Sequence, residues 1–201
     1  MSRSELKARA RAQLGGGIFK EAWLMAVLLV LVLGALTGSA ATATVGVAAI
    51  ILVGPLSYGS NYAFLKTARE GGSINMGDLF KGFTADFSQT FLIGLMTTIF
   101  TALWSLLFVI PGIVKAYAYS LAYYIKVDHP EYGWRECIQQ SQSMMNGHKM
   151  ELFVLDLSFL GWLIVGAFCF GIGELWVSAY MEAAHAQFYE GLLAAPRYIN
   201  D

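Results

Sequence analysis

Charge is what this chain has least of. Only 13% of its 201 residues are Asp, Glu, Lys or Arg, whereas 57% are hydrophobic. Soluble domains usually carry about twice that charged share. A soluble fold of this length has too little polar surface to cover so much apolar side chain, so a multi-span membrane bundle is expected, one domain over residues 1–201. A net charge of −1 gives a nucleic-acid partner no electrostatic support. Cysteine is scarce too. Cys137 and Cys169 are far apart and form no CxxC or Cys/His ligand set. Both read as reduced thiols, Cys137 near the cytoplasmic surface and Cys169 in or near lipid. No HExxH, Walker-type GxxxxGK[ST], GxSxG or GxGxxG occurs. No catalytic residue, cofactor site or metal site is therefore expected.

What is present is a series of apolar runs separated by short polar ones. Residues 1–20 carry Arg3, Lys7 and Arg11 on one helical face, with Leu6, Ala10 and Leu14 offset to another. This predicts a basic amphipathic helix on an anionic inner leaflet, ended by Gly15-Gly16-Gly17. The plainer alternative is a solvated charged tail. Ala22 to Leu36 is the first apolar run, entered through Trp23 as an interface anchor. A cleaved signal peptide is the competing reading, with Ser39-Ala40-Ala41 as the processing site; Glu5, Glu21 and the second apolar run argue against it. That second run spans about Thr44 to Leu65. Gly34 and Gly38 form a small-xxx-small pair between the two. Phe80, Phe83 and Phe87 then recur at helical spacing beside Lys81 and Asp86, which suits a short interfacial helix.

From Thr90 to Val127 a continuous helix would be roughly 55 Å long, nearly twice the hydrocarbon thickness. Pro111-Gly112 near its middle divides it into two spans with a tight turn at Pro111; one kinked, tilted helix is the alternative. Residues 128–149 read as an in-plane cytoplasmic helix. Asp128 caps it, Pro130 lies in its first turn, Gly147 ends it, and Trp134, Ile138 and Met145 share its apolar face. The fifth span runs from Met150 to Phe168 and the sixth, after Gly171-Ile172-Gly173, to Leu192. With six spans the basic segments, Arg197 included, fall on one side; only Lys115 sits near the other. The positive-inside rule makes that side cytoplasmic, with both termini inside. The fold class expected is all-α and polytopic, with about six transmembrane helices and cytoplasmic amphipathic helices.

An ordered set of short motifs runs through the second half of the chain. It comprises Ile110-Pro111-Gly112-Ile113-Val114-Lys115, Asp128-His129-Pro130-Glu131, Ser141 with Met145, Gly147-His148-Lys149, Leu157-Ser158-Phe159-Leu160-Gly161-Trp162, Gly171-Ile172-Gly173 with Trp176, and Phe188-Tyr189-Glu190. In this the chain resembles the bacterial integral membrane family catalogued as domain of unknown function 975. The resemblance implies a multi-pass bacterial membrane protein with no established activity and no catalytic residue to carry over; the location expected is the bacterial inner membrane. Where that family usually carries a proline before Tyr180, this chain has Ala179, so a kink in the last span is expected to be absent or milder.

The last span carries the most suggestive polar set. Glu174, Ser178, Glu182, His185 and Tyr189 lie within about 80° of one helix face. Ionisable groups in a span normally face a bundle interior or an aqueous cavity. Lys115 and Asp156 add two more from neighbouring spans, and depth suggests Lys115–Glu174 and Asp156–His185 pairs. Helix-to-helix glue is the first reading of this face, a solute or proton path the second and intramembrane catalysis the third. His185 lacks a second His or Cys at ligand spacing, and reads as a hydrogen-bonded packing residue. The expected role is a non-enzymatic membrane interaction or scaffold protein, its partners the lipid bilayer and a protein at the cytoplasmic face. The alternative is a small-solute or proton transporter or channel using the polar face of the last span.

Overall fold

The computed structural model describes residues 3–15, 21–38, 43–84, 86–107, 109–168 and 172–194. Among them the chain is all-helical, with no strand. Gly16, Gly17, Ser39, Cys169, Gly171 and Arg197 lie outside the described residues, as do the side-chain contacts of Gly34 and Gly38.

α1 (Arg3–Gln13) buries Leu6, Ala10 and the following Leu14, the face its spacing predicts. That face packs mainly on the last helix, α10 (Ile172–Ala194), so protein covers it. Tyr180 donates to the Lys7 carbonyl at 2.9 Å, and Gln187 to the Gln13 side chain at 3.0 Å. Gly15, at φ 85°, turns the chain out of α1 in a conformation that glycine adopts without a Cβ clash. α2 (Glu21–Gly38) packs on α10 as well. Trp23 was expected at an interface but is buried there, its ring 5.9 Å from that of Tyr180.

α3 (Ala43–Glu70) continues through Pro55. A 3-10 helix (Met76–Phe80) and the short α4 (Lys81–Thr84) lie directly on it. Gly59 and Gly82 permit this: a Cβ on Gly59 would stand 1.8 Å from the Leu79 carbonyl oxygen, and one on Gly82 2.1 Å from that of Pro55. Asn75 caps the 3-10 helix by accepting from the Gly77 amide at 2.9 Å. The phenylalanine spacing produces a ladder of rings, Phe80–Phe83–Phe87–Phe91, at 6.0–6.3 Å.

The long apolar run does fold back on itself. α5 (Phe87–Leu107) and α6 (Val109–Tyr119) form an antiparallel hairpin so close that a Cβ on Gly112 would lie 2.8 Å from Ser105 Cα. Pro111 does not make the turn, since α6 already begins at Val109. The proline sits in the first turn of α6, where its missing N–H costs no helical bond. The run breaks again at Ser120-Leu121, before α7 (Ala122–Asp128), which the sequence did not signal.

Two expectations about the following segment are corrected. Asp128 ends α7 and caps nothing beyond it, and Pro130 lies in the turn before α8, not in its first helical turn. α8 (Trp134–Met144) starts at Gly133, whose amide donates to Glu136 at 2.6 Å, and the Trp134 amide donates to Gln89 at 2.9 Å. α8 buries Cys137, Ile138 and Ser141 against α5, α6 and α7. Ser141 repairs the break in the neighbouring helix, accepting from the Leu121 amide at 3.2 Å and donating to the Ala118 carbonyl at 2.8 Å. Unpaired backbone groups at an interrupted helix are otherwise costly. Gly147, at φ 86°, lies in the turn to α9 (Lys149–Phe168).

α9 and α10 pair antiparallel and cross closely at Gly166 and Gly173, where a Cβ on Gly173 would stand 2.8 Å from Gly166 Cα. α10 runs unbroken past Ala179, as the missing proline predicts. One helix among the described residues, Phe87–Leu106, is long and apolar enough to cross a membrane, and Glu21–Leu31 is a shorter apolar stretch. This measure does not reach the expected six spans. The fourth is divided into α6 and α7, whose 11 and 7 residues are each too short to cross alone.

Candidate functional site

Two polar clusters lie on successive turns of α10. The inner one joins three helices. Asp156 of α9 takes His185 Nε2 of α10 on one carboxylate oxygen at 2.6 Å, and the Tyr117 hydroxyl of α6 on the other at 2.9 Å. A carboxylate that accepts at both oxygens fixes the orientation of the imidazole and of the phenol together. Glu182, one turn before His185, is half-buried on the same side of α10.

The second cluster lies one turn further along, at the end of the bundle that gathers the basic residues. Arg69, at the end of α3, grips Asp128 with both terminal nitrogens, one of them at 2.8 Å, and donates from Nε to Glu190 at 2.6 Å. The Tyr189 hydroxyl donates to Asp128 at 2.8 Å. The bidentate grip holds the Arg69 guanidinium above its ordinary value. Asp128 is raised by burial but lowered more by these hydrogen bonds and by the Arg69 charge, so it lies below the usual carboxylate range. Nearby, Lys66 donates to Asp78 at 3.2 Å. Lys126, only 1% exposed, donates to the carbonyls of Pro130 (2.7 Å) and Tyr132 (2.9 Å) and so fixes the turn before α8.

Between the clusters stands Tyr124. Its ring stacks on that of Tyr189 at 5.3 Å, and its buried hydroxyl has no hydrogen-bond partner.

Of the residues singled out from the sequence, Asp156 and His185 pair as their depths suggest. Tyr189 is drawn into the Arg69 cluster instead. Glu182 stays beside His185, while Ser178 and the exposed Glu174 lie nearer the far end of α10, outside both clusters. Lys115 and Glu174 do not pair. The Lys115 face of α6 turns toward α5, and its ammonium lies 5.1 Å from the Trp104 ring centre, a cation–π contact in place of an ion pair. Arg69, Asp128 and Glu190 are not legible as a cluster from the sequence, and Tyr117 and Tyr124, which read there only as interface anchors and bundle packing, take part in or stand beside the two clusters. The first three sit at ends of apolar runs on the side the charge pattern groups together; that was the signal available. Among the described residues no group of three or more His, Cys, Asp or Glu is placed to hold a metal ion.

The fold and these clusters define a helical bundle whose interior acids and bases are largely spent on one another. The chain belongs to the family described as Protein of unknown function (DUF975), whose model matches residues 1–118 and 106–196. No curated protein and no solved structure matches the chain.

Proposed function

We propose that the chain is a multi-pass protein of a bacterial inner membrane, with six crossings, both termini in the cytoplasm and a non-enzymatic interaction or scaffold role. The observation that carries this reading is the division of its surface. Leu24, Leu28 and Leu31 of α2, Leu103 and Leu106 of α5, and Ile110, Ile113 and Val114 of α6 are exposed. So are Phe153, Leu157, Leu160 and Ile164, which form a stripe down α9 at four- and three-residue spacing. Leu106 is 85% exposed and Ile110 76%. A water-soluble monomer rarely shows contiguous apolar surface on this scale. Lipid is the solvent that such surface suits.

The polar groups are distributed to match. The Arg69–Asp128–Glu190 cluster, the Lys66–Asp78 pair and the Lys126 lock share one end of the bundle, the cytoplasmic end on the positive-inside rule. In this reading α6 and α7 make one crossing, interrupted but repaired by Ser141. A scaffold role is favoured over catalysis because Asp156, His185 and Arg69 are already satisfied by protein partners. The test is alkaline carbonate extraction of membranes from expressing cells. The chain is expected in the pellet, and recovery in the supernatant would refute the reading.

One observation favours a second reading, a proton or solute path along α10. The unpartnered Tyr124 hydroxyl stands between the two clusters, and Glu182 lies one turn before His185, which lines up ionisable groups along α10 as a relay would need. Single cysteines at 156, 182 and 185 that react with a water-soluble thiol reagent would support a path. Protection at all three would leave a dry bundle.

A further inference from the structure

α1 leaves more positive charge on the molecule than its neighbours neutralise. Arg9 pairs with Glu5 at 2.8 Å, but among the described residues no carboxylate pairs with Arg3, Lys7 or Arg11. Lys7 donates to the Ser158 carbonyl at 3.2 Å and lies 4.3 Å from the centre of the Phe159 ring, while Arg11 faces the Tyr180 ring at 5.9 Å. Burial, with the charges of Arg3 and Arg11, holds the Lys7 ammonium below its ordinary value, the state of a cation short of a counter-ion.

Beside these residues a groove of about 820 Å³ opens between α1 and α9. Arg3 and Lys7 stand on it, and Leu6, Met150, Val154 and Phe188 form its apolar lining. Glu151 lines it too, with its carboxylate 3.2 Å from His148 Nδ1. The groove lies at the charged end of the bundle and is continuous with the exposed stripe of α9, where Met150 leads to Phe153 and Leu157. Unneutralised cations next to an apolar channel that runs into a lipid-facing stripe complement one kind of molecule, an amphiphile with an anionic head.

We propose that this groove binds one anionic phospholipid of the inner leaflet, Arg3 and Lys7 holding its phosphate and one acyl chain lying along Leu6, Met150, Val154 and Phe188. This rests on the membrane reading above and deepens it: the amphipathic N-terminal helix holds a particular lipid as well as resting near a charged surface. A basic residue near an anionic lipid contributes roughly a fivefold gain in binding, so the two together give about 25-fold.

The test is native mass spectrometry of the full chain in detergent, titrated separately with phosphatidylglycerol and with phosphatidylcholine of the same acyl chains. The wild type should carry one phosphatidylglycerol in strong preference to phosphatidylcholine. Arg3→Gln with Lys7→Gln should lose about 25-fold in that preference. Arg3→Gln alone removes no hydrogen bond seen in the structure, so its loss of roughly fivefold decides the matter should the double variant fold poorly. Val154→Trp, which fills the groove, should displace the bound lipid.

Equal binding of the two lipids, or an undiminished preference in Arg3→Gln, overturns the proposal. So does displacement of phosphatidylglycerol by inorganic phosphate, which marks a bare anion site. A lipid-free dimer would assign the groove to a second copy and overturn it as well. Carbonate extraction of the wild type separates the two failures: a pelleted chain without lipid preference refutes only the groove, and a soluble one refutes the membrane reading.

Discussion

Replacing Arg69 with methionine isolates the cluster that ties α3, α7 and α10 together. Methionine keeps most of the apolar stem and removes the guanidinium. Two carboxylates then lose three charge-assisted hydrogen bonds at once, two on Asp128 and one on Glu190. Each such bond is worth about 1.5–3 kcal/mol when desolvated. The Arg69 side chain is 37% exposed, however, and Asp128 and Glu190 are 15% and 28% exposed, so solvent screens part of this. A net loss of about 3 kcal/mol is expected, between the value for an exposed pair and that for a buried one. For a chain of this size that lowers the melting temperature by roughly 8 °C.

The assay is thermal unfolding in detergent micelles, followed by tryptophan fluorescence. Arg69→Lys should recover less than half of the loss, because an ammonium cannot reproduce the two-pronged grip. Asp128→Asn should be strongly non-additive with Arg69→Met, with a coupling of about 1.5 kcal/mol. The same cluster sets an acid limb. Asp128 lies lower when folded than when unfolded, so its contribution is complete above the unfolded carboxylate value of about 3.9 and is lost as pH falls through the folded value. Asp128→Asn should flatten that limb and leave the profile from pH 5 to 8 (roughly) unchanged. A melting temperature for Arg69→Met within about 1 °C of wild type, or simple additivity with Asp128→Asn, would refute the reasoning.

Three further outcomes follow from packing and burial. Gly59→Ala sets a methyl group into the Leu79 carbonyl and should cost about 2 kcal/mol in the same melt, despite alanine's better helix propensity. Ser141→Ala orphans the Leu121 amide and the Ala118 carbonyl and should cost about 2 kcal/mol, with faster amide hydrogen exchange confined to the junction of α6 and α7. Burial pushes the Cys137 thiol up to about 11, so iodoacetamide at pH 8 (roughly) should leave it unmodified in the folded protein and alkylate it once the chain is denatured; rapid alkylation of the native state would contradict its burial under α5–α7.

Much of this arrangement was legible from residue spacing. Leu6, Ala10 and Leu14 announce the buried face of α1, the phenylalanines announce their ladder, and matched depth on adjacent helices announces Asp156 with His185. The resemblance adds one more expectation, since Ala179 stands where the family usually carries proline, and α10 runs unbroken there. What stayed hidden depends on tertiary partners. The break at Ser120-Leu121 has no glycine or proline to mark it; it exists because Ser141, 20 residues further on, supplies the missing hydrogen bonds. Lys115 and Glu174 share a depth but not a direction, since α6 rotates Lys115 toward Trp104. Asp128 reads as a helix cap from its neighbours alone, yet Arg69, 59 residues earlier, claims its carboxylate first.

The proposed topology sets the bundle across a membrane with its Arg69 end inside. The most direct test is labelling of single cysteines at Ile110 and Glu131, in a chain carrying Cys137→Ala and Cys169→Ala, with a membrane-impermeant maleimide. Ile110→Cys, beside the α5–α6 reversal, should react in intact cells, and Glu131→Cys, in the turn that Lys126 fixes, only after permeabilisation. Labelling of Glu131→Cys in intact cells with Ile110→Cys protected would invert the orientation. Equal labelling of both sites only after permeabilisation, with the chain recovered in the soluble fraction, would contradict the account itself.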